Sequence, residues 1–312
     1  MSNSSTRQLS RRERRMERAM DRVLAQEGKP RRVVKNRALR RMLSNKLSVF
    51  GIVVFVVIVL ASFGAPLIAP YSPTTMDLQA ALQPPSAEHW LGTDKIGRDV
   101  LSRILFGGQI SIIVGLGSAL GAAVIGVFLG VLAGYKGGLF DKVVFRLSEL
   151  FMAFPQIILV LLLVSIVGQS LFNLMAIFIL TGWGSLYRMA RSQTLSIREE
   201  DYVSALEAFG ISSLVVGFKH ILPNAIGPIV VNITLSTAMF ILQESSLSFL
   251  GLGVPMEIPT WGNILNVAND LAILQTAWWM WLPVGVTISL FVLSVNFIGD
   301  GLRDSTDPSQ QG

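Results

Sequence analysis

Cysteine is absent from the 312 residues, and only two histidines occur, His89 and His220, far apart in the chain. These shortages exclude disulfides, cysteine-ligated metal and a cysteine nucleophile, and they leave too few residues for a metal cluster or a histidine-based triad. No Gly-x-x-x-x-Gly-Lys-Ser/Thr run occurs either, so the phosphate cradle of a P-loop is missing. Charge is scarce as well. Only 15% of residues are Asp, Glu, Lys or Arg, against 51% hydrophobic, whereas soluble domains carry about a quarter charged residues. Such a deficit calls for an apolar solvent, which a bilayer supplies.

The charge that is present is lopsided. Residues 1–46 hold fifteen Lys/Arg and four Asp/Glu, a net +11, and the rest of the chain sums to −5. A basic tail on an apolar body reads as a cytoplasmic anchor rather than a nucleic-acid patch. The tail lacks the short apolar core and small-residue cleavage site of a secretion signal, so processing is not expected. Ser10 and Glu13 can form a capping box, and Gly28 and Pro30 can end the helix they open. Met16, Ala19, Met20, Val23 and Leu24 fall on one stripe of that helix, suited to anionic lipid or to a partner, although a solvated tail that only fixes topology fits equally.

A bilayer core of about 30 Å takes about 20 apolar helical residues. Charge-free runs extend over Leu47–Met76, Ile104–Tyr135, Leu150–Tyr187, Ile221–Gln243 and Leu271–Gly299. The third, as one helix, would reach roughly 57 Å. It must fold back, and Gly168-Gln169-Ser170 is the turn expected. An all-α integral membrane protein with six transmembrane helices follows, spanning about 47–69, 108–134, 143–167, 171–190, 224–250 and 278–300, with a membrane domain over 47–302 and a short tail over 303–312. The runs are too long and too uniformly apolar for barrel strands. With the N-terminus in the cytoplasm, 23 of the 26 Lys/Arg fall on cytoplasmic segments, so both ends are placed inside. Trp278, Trp279 and Trp281 then form an external aromatic belt.

Several residues stand out between and within the spans. Before the second span, Val100, Leu101, Ile104 and Leu105 share a face, and Asp99 can pair with Arg103 at i+4, which reads as an interfacial helix, a packing element more than a ligand contact. In the long cytoplasmic connection, Glu199-Glu200-Asp201 opens a short helix with acids at its positive end. Tyr202, Ala205, Leu206 and Phe209 make one face, and Gly210 can close the helix in the left-handed region. Physics alone allows either a surface connector or a docking site here. Glu244, an acid in the fifth span, must face protein or water. It can line a pore, or it can make a structural contact helped by Ser245, Ser246 and Ser248, and the structural reading is preferred. Gly115, Gly117, Gly121, Gly126 and Gly130 allow close packing within the bundle or against a partner subunit. Pro155, Pro223 and Pro283 lie at span ends, where ordinary bending is the simpler reading than gating.

These residues also carry a resemblance. The cytoplasmic loop resembles the signature of permeases in binding-protein-dependent ABC importers: Ser204-Ala205-Leu206 occupies the Glu-Ala-Ala slot, Gly210 the glycine, and Leu222-Pro223 the Leu-Pro. Ser204 departs from Glu, Leu206 from the second Ala, and His220 stands where Ile is usual. The stretches LGTDKIGRDVL (91–101), GYKGGLFD (134–141), Ala153-Phe154-Pro155, ESSLSFLGLGV (244–254) with Trp261-Gly262-Asn263, and NFIGDGLRD (296–304) look like the second permease of the peptide/nickel branch. The likeness runs from about Met42 to Pro308.

The resemblance implies a non-enzymatic, multi-pass subunit of the inner (plasma) membrane that binds no cofactor and no metal itself. Its implied partners are a homologous permease in a heterodimer, two ATP-binding subunits that hydrolyse the ATP, and an extracytoplasmic substrate-binding protein. The implied cargo is di- or oligopeptides, with nickel chelates or glutathione-like compounds as the runner-up. Coupling to the ATPases would run through Tyr202, Ser204, Ala205, Leu206, Glu207, Gly210, Leu222 and Pro223, with Glu207 able to supply the charge that Ser204 lacks. An ion-coupled secondary transporter would show charges on several spans and an inverted repeat, and an intramembrane enzyme would need a catalytic constellation within the spans. Neither pattern is present.

Overall fold

The computed structural model describes residues 42–306. The basic-tail helix proposed for residues 10–28 lies outside them. Among the described residues the regular elements are all helical, with one isolated bridge between Thr93 and Asp99, and residues 69–99 are largely loop. The principal elements are α1 (Lys46–Phe63), α2 (Val100–Lys136), α3 (Gly138–Ala153), α4 (Gln156–Val167), α5 (Leu171–Arg198), α6 (Asp201–Ala208), α7 (Leu222–Phe249), α8 (Trp261–Leu265), α9 (Leu271–Thr276) and α10 (Leu282–Thr306).

Four helical runs are long and apolar enough to cross a bilayer: Lys46–Phe63, Val100–Lys136, Ser213–Phe249 and Trp278–Ser305. The stretch assigned above to a third span is two helices, α3 and α4, bent by 89° where Phe154 and Pro155 interrupt the backbone bonds, and as a bent pair it makes a fifth. α5 has the length of a span, but Arg188, Arg191 and Arg198 crowd its last third and lower its hydropathy. Gly168 takes a φ of 91° between α4 and α5, and the chain folds back at Gly168-Gln169-Ser170 as expected.

The core is organised around α2, which packs most extensively on α5 and also meets α1 and α7. The small-residue stripe makes this possible. A Cβ on Gly126 would lie 2.6 Å from the Trp183 carbonyl oxygen, and one on Gly130 2.7 Å from the Ala190 Cβ. The stripe therefore serves close approach inside the bundle. Stacked Phe178 and Phe240, 5.2 Å apart, join α5 to α7, and Trp261 and Phe291 join α8 to α10.

The expected interfacial helix is the first turns of α2 itself, which runs unbroken for 37 residues, about 55 Å. Its polar pairing differs from the sequence expectation. Arg103 meets Asp94 at 2.6 Å, not Asp99. Asp99 caps α2, accepting from the Ser102 amide at 2.7 Å, and holds His89 Nδ1 at 2.9 Å. An N-cap carboxylate faces the first amides of its own helix, which takes it away from the i+4 position. Asp94 accepts from the Ile96 and Arg98 amides and from both arginines. Burial alone would raise its pKa, but these hydrogen bonds and the Arg98 charge outweigh burial and hold it below the ordinary value. Trp279 donates to the Thr93 carbonyl at 3.3 Å, so this member of the expected aromatic belt is tied to the segment between α1 and α2 while Trp278 stays exposed.

Candidate functional site

Two places collect the chemistry, one at the α6 end of the bundle and one along α5 and α7. At the first, α6 is an eight-residue helix closed by Gly210 at φ 74°. The Ile211 amide donates to the Leu206 carbonyl and the Gly210 amide to the Glu207 carbonyl, and Leu206 and Ile211 pack on the same cluster. This paired closure requires a left-handed residue after the cap, which glycine adopts without a Cβ clash.

The apolar face read from the sequence is divided in the structure. Val203 is fully buried with Tyr135, Val216 and Ile221, and half-buried Tyr202 and Leu206 pack on the same cluster. Those two side chains serve the subunit's own core, because Val203 turns the helix by its own burial. What α6 presents outward is Ser204, Ala205 and Ala208, with Phe209 63% exposed at its end. Glu207 accepts a 2.7 Å hydrogen bond from the Tyr135 hydroxyl at the end of α2. Its Oε1 is therefore engaged within the chain, while the side chain as a whole stays exposed. Asn224 donates to the Tyr202 hydroxyl at 2.9 Å and to the His220 carbonyl at 2.8 Å. Leu222 is half-buried beside Ala225 and Ile229, and Pro223 stands exposed in the first turn of α7. A π-helical stretch, Val216–Ile221, joins the two parts.

The neighbouring GYKGGLFD motif contributes more than Tyr135. Asp141 forms an ion pair with Arg191, whose guanidinium lies 5.0 Å from the centre of the Phe145 ring. The motif thus ties the start of α3 to α5 beside the α6 platform. Tyr135, Asn224, Asp141 and Arg191 were not singled out as site residues from the sequence. Their signal was their place within or beside the motifs that carry the family resemblance, with no indication of which partner each would meet.

Glu244 is fully buried. Its carboxylate accepts from Ser111 at 3.2 Å and Ser248 at 2.8 Å. Ser111 in turn accepts from the Trp261 amide, whose indole N–H reaches the Ile104 carbonyl. Asn263 donates to the carbonyls of Val254, Pro255 and Ile258, each at 3.0 Å. Glu244 is thus the centre of a knot joining α2, α7 and the segment that carries α8. Ser245 is buried beside this knot, with a hydroxyl that has no partner, and Ser246 bonds back to its own helix.

Beside α5 lies an open groove in two adjoining parts, one of about 180 Å³ against α7 and one of about 240 Å³ against the α3–α4 break, both bordered by Gln156, Gly182 and Ser185. Asn232 and Ser236 of α7 line the first part. Gln243 donates to Gln156 Oε1 at 3.0 Å and holds its own oxygen without a protein partner. Among the described residues no group of three or more His, Asp or Glu is placed to hold a metal ion.

Residues 126–311 match the family described as binding-protein-dependent transport system inner membrane component, and residues 36–85 match the N-terminal transmembrane domain of oligopeptide transport permease C. The chain belongs to this permease family. The dipeptide transport system permease protein DppC of Alkalihalophilus pseudofirmus is 38% identical over 274 residues, covering 88% of this chain and 90% of that relative. The oligopeptide transport system permease protein OppC of Bacillus subtilis is 36% identical over 271 residues, covering 87% and 88%. The fold is similar to that of the inward-facing methionine ABC transporter MetNI, with a TM-score of 0.54 at 21% identity over 66% of this permease and 97% of that chain. The chain is therefore an all-helical inner-membrane transport permease rather than a catalytic subunit.

Proposed function

We propose that the permease forms one half of the translocation pore of an ATP-driven importer of di- or oligopeptides. The names of relatives aligned over nearly their whole length support peptide cargo. The observation that carries the coupling part is the α6 platform. A short helix turns small residues outward, Ser204 and Ala205, while two hydrogen bonds, Tyr135 to Glu207 and Asn224 to Tyr202, fasten its other side to α2 and α7. Small outward side chains allow a partner's groove to close tightly on the backbone. A displacement of α6 then passes directly into two membrane helices.

In this reading the bundle crosses the membrane six times, with the bent α3–α4 pair and α5 each counted once and both chain ends in the cytoplasm. The basic tail 1–46 anchors the inner face. A homologous permease completes the pore, two ATP-binding subunits receive α6 and hydrolyse ATP, and an extracytoplasmic binding protein delivers cargo. Glu244 acts as a structural centre rather than as a cargo ligand.

The test is ATP-dependent uptake by the complete complex in liposomes, with its binding protein and labelled di- to pentapeptides, then chelated nickel. Peptide uptake that vanishes with inactive ATPases is expected. Uptake of nickel alone would overturn the cargo assignment, and no ATP-dependent uptake of either would overturn the function.

A further inference from the structure

The groove between α5 and α7 has an unusual lining for a chain that is half hydrophobic. Asn232 and Ser236 lie near the middle of the 28-residue α7, one turn apart on one face, and Ser185 lies near the middle of α5. Gln156 stands at the first residue of α4, just beyond the 89° break. Amides and hydroxyls at such positions are costly against lipid, so this face meets water or protein. No charged side chain borders either part of the groove.

The side chains are also arranged as a recognition surface rather than as a sealed contact. Gln156 is held from two sides, accepting from Gln243 and donating to Thr181 at 3.4 Å. Gln243 is nine-tenths buried, and its amide oxygen is left without a protein partner next to the groove. Gly182 leaves room for Phe240, since a Cβ there would fall 2.4 Å from that ring. Met152 and Met239 border the two ends, and an unbranched thioether adapts to side chains of different shape.

We propose that this groove is a station of the translocation path that reads the main chain of a passing peptide, with Gln156, Ser185, Asn232 and Ser236 as its contacts. Each peptide unit offers one donor and one acceptor, and a carboxamide offers both in return. A neutral lining imposes no like-charge penalty on acidic or basic side chains, so the station accepts peptides without regard to their charge. The inference rests on peptide import as the function and specifies where and how the cargo is held.

The absence of cysteine makes the test clean, because a single introduced thiol is the only one on this subunit. Ser185→Cys and Ser236→Cys, with Val124→Cys on an exposed apolar face of α2 as comparator, are placed in the complete complex in liposomes, and labelling by a hydrophilic maleimide is read on this chain. Both groove thiols are expected to react at least tenfold faster than the comparator, and transported tripeptide is expected to slow them severalfold. Rates no faster than at Val124, or rates indifferent to peptide, overturn the station. Asn232→Leu is expected to lower uptake of neutral, acidic and basic tripeptides by the same factor, with affinity of the binding protein unchanged. Unchanged uptake, or a loss confined to one charge class, also overturns it. Wild-type complex that imports no peptide overturns the parent reading. Wild-type complex that imports peptide while these arms fail overturns the station alone.

Discussion

Tyr135 and Glu207 stand 72 residues apart in the chain, and the Tyr135 hydroxyl donates to Glu207 Oε1 at 2.7 Å. The contact joins the end of the longest membrane helix to the short helix proposed to receive the ATPase. Hydrogen bonds to a charged group contribute about 1.5–3 kcal/mol when well formed, and the exposure of Glu207 reduces that. Tyr135→Phe keeps the ring in its cluster and removes only the donor. Peptide-stimulated ATP hydrolysis is expected to fall roughly fivefold with normal subunit assembly, a loss that corresponds to about 1 kcal/mol of coupling. Unaltered stimulation would remove this contact from the coupling route.

Ala205 is exposed on the outward side of α6, so a long charged side chain there does not disturb the permease core. Ala205→Arg is expected to leave expression and thermal stability unchanged while the ATP-binding subunits no longer co-purify. Full recovery of those subunits would count against α6 as their docking element.

Glu244 accepts from two hydroxyl donors at once. Glu244→Leu leaves those donors without an acceptor, at a cost of about 1–3 kcal/mol for each that finds no substitute. Glu244→Gln keeps a carbonyl acceptor in nearly the same shape. The melting midpoint in detergent is expected to drop sharply for Leu and slightly for Gln, with uptake by the Gln variant retained. A Gln variant that assembles normally yet transports nothing would move Glu244 from a structural role to the pore.

Gly126 and Gly285 provide a paired test of packing. A Cβ at Gly126 meets backbone atoms of α5 at 2.6 and 2.8 Å, whereas one at Gly285 meets nothing within 4 Å. Gly126→Ala is expected to destabilise the bundle by about 1–3 kcal/mol, and Gly285→Ala to be neutral or slightly stabilising through helix propensity. Equal melting midpoints for the two variants would contradict the α2–α5 contact.

Asp94 gives a pH dependence with a definite sign. Its pKa in the folded protein is lowered from 3.8, so its contribution to stability is fully present above about pH 4 and is lost as pH falls through the lowered value. Wild-type melting midpoints are expected to decline on acidification below pH 4. Asp94→Asn is expected to melt lower at pH 7 and to show a flatter acid limb. Parallel acid limbs in the two proteins would show that another carboxylate governs the decline.

Composition and spacing alone determined that the chain is a helical membrane protein, that the long apolar run turns at Gly168, and that Gly210 ends a short helix. These follow from local rules: the length of apolar segment a bilayer needs, and the backbone angles that glycine tolerates. The motifs determined the family for the same reason, since residue identity at fixed spacing is a one-dimensional pattern. Partnership was decided only by tertiary structure. Arg103 reaches Asp94 because Asp99 is occupied as a helix cap, and Glu207 turns to Tyr135 because Val203 buries and sets the rotation of α6. The sharp break between α3 and α4 was equally hidden, because Pro155 permits a bend without stating its angle. Hydrophobic pattern fixes which residues leave water, but side-chain pairing depends on distances between helices, and those exist only once α2, α5 and α7 have packed.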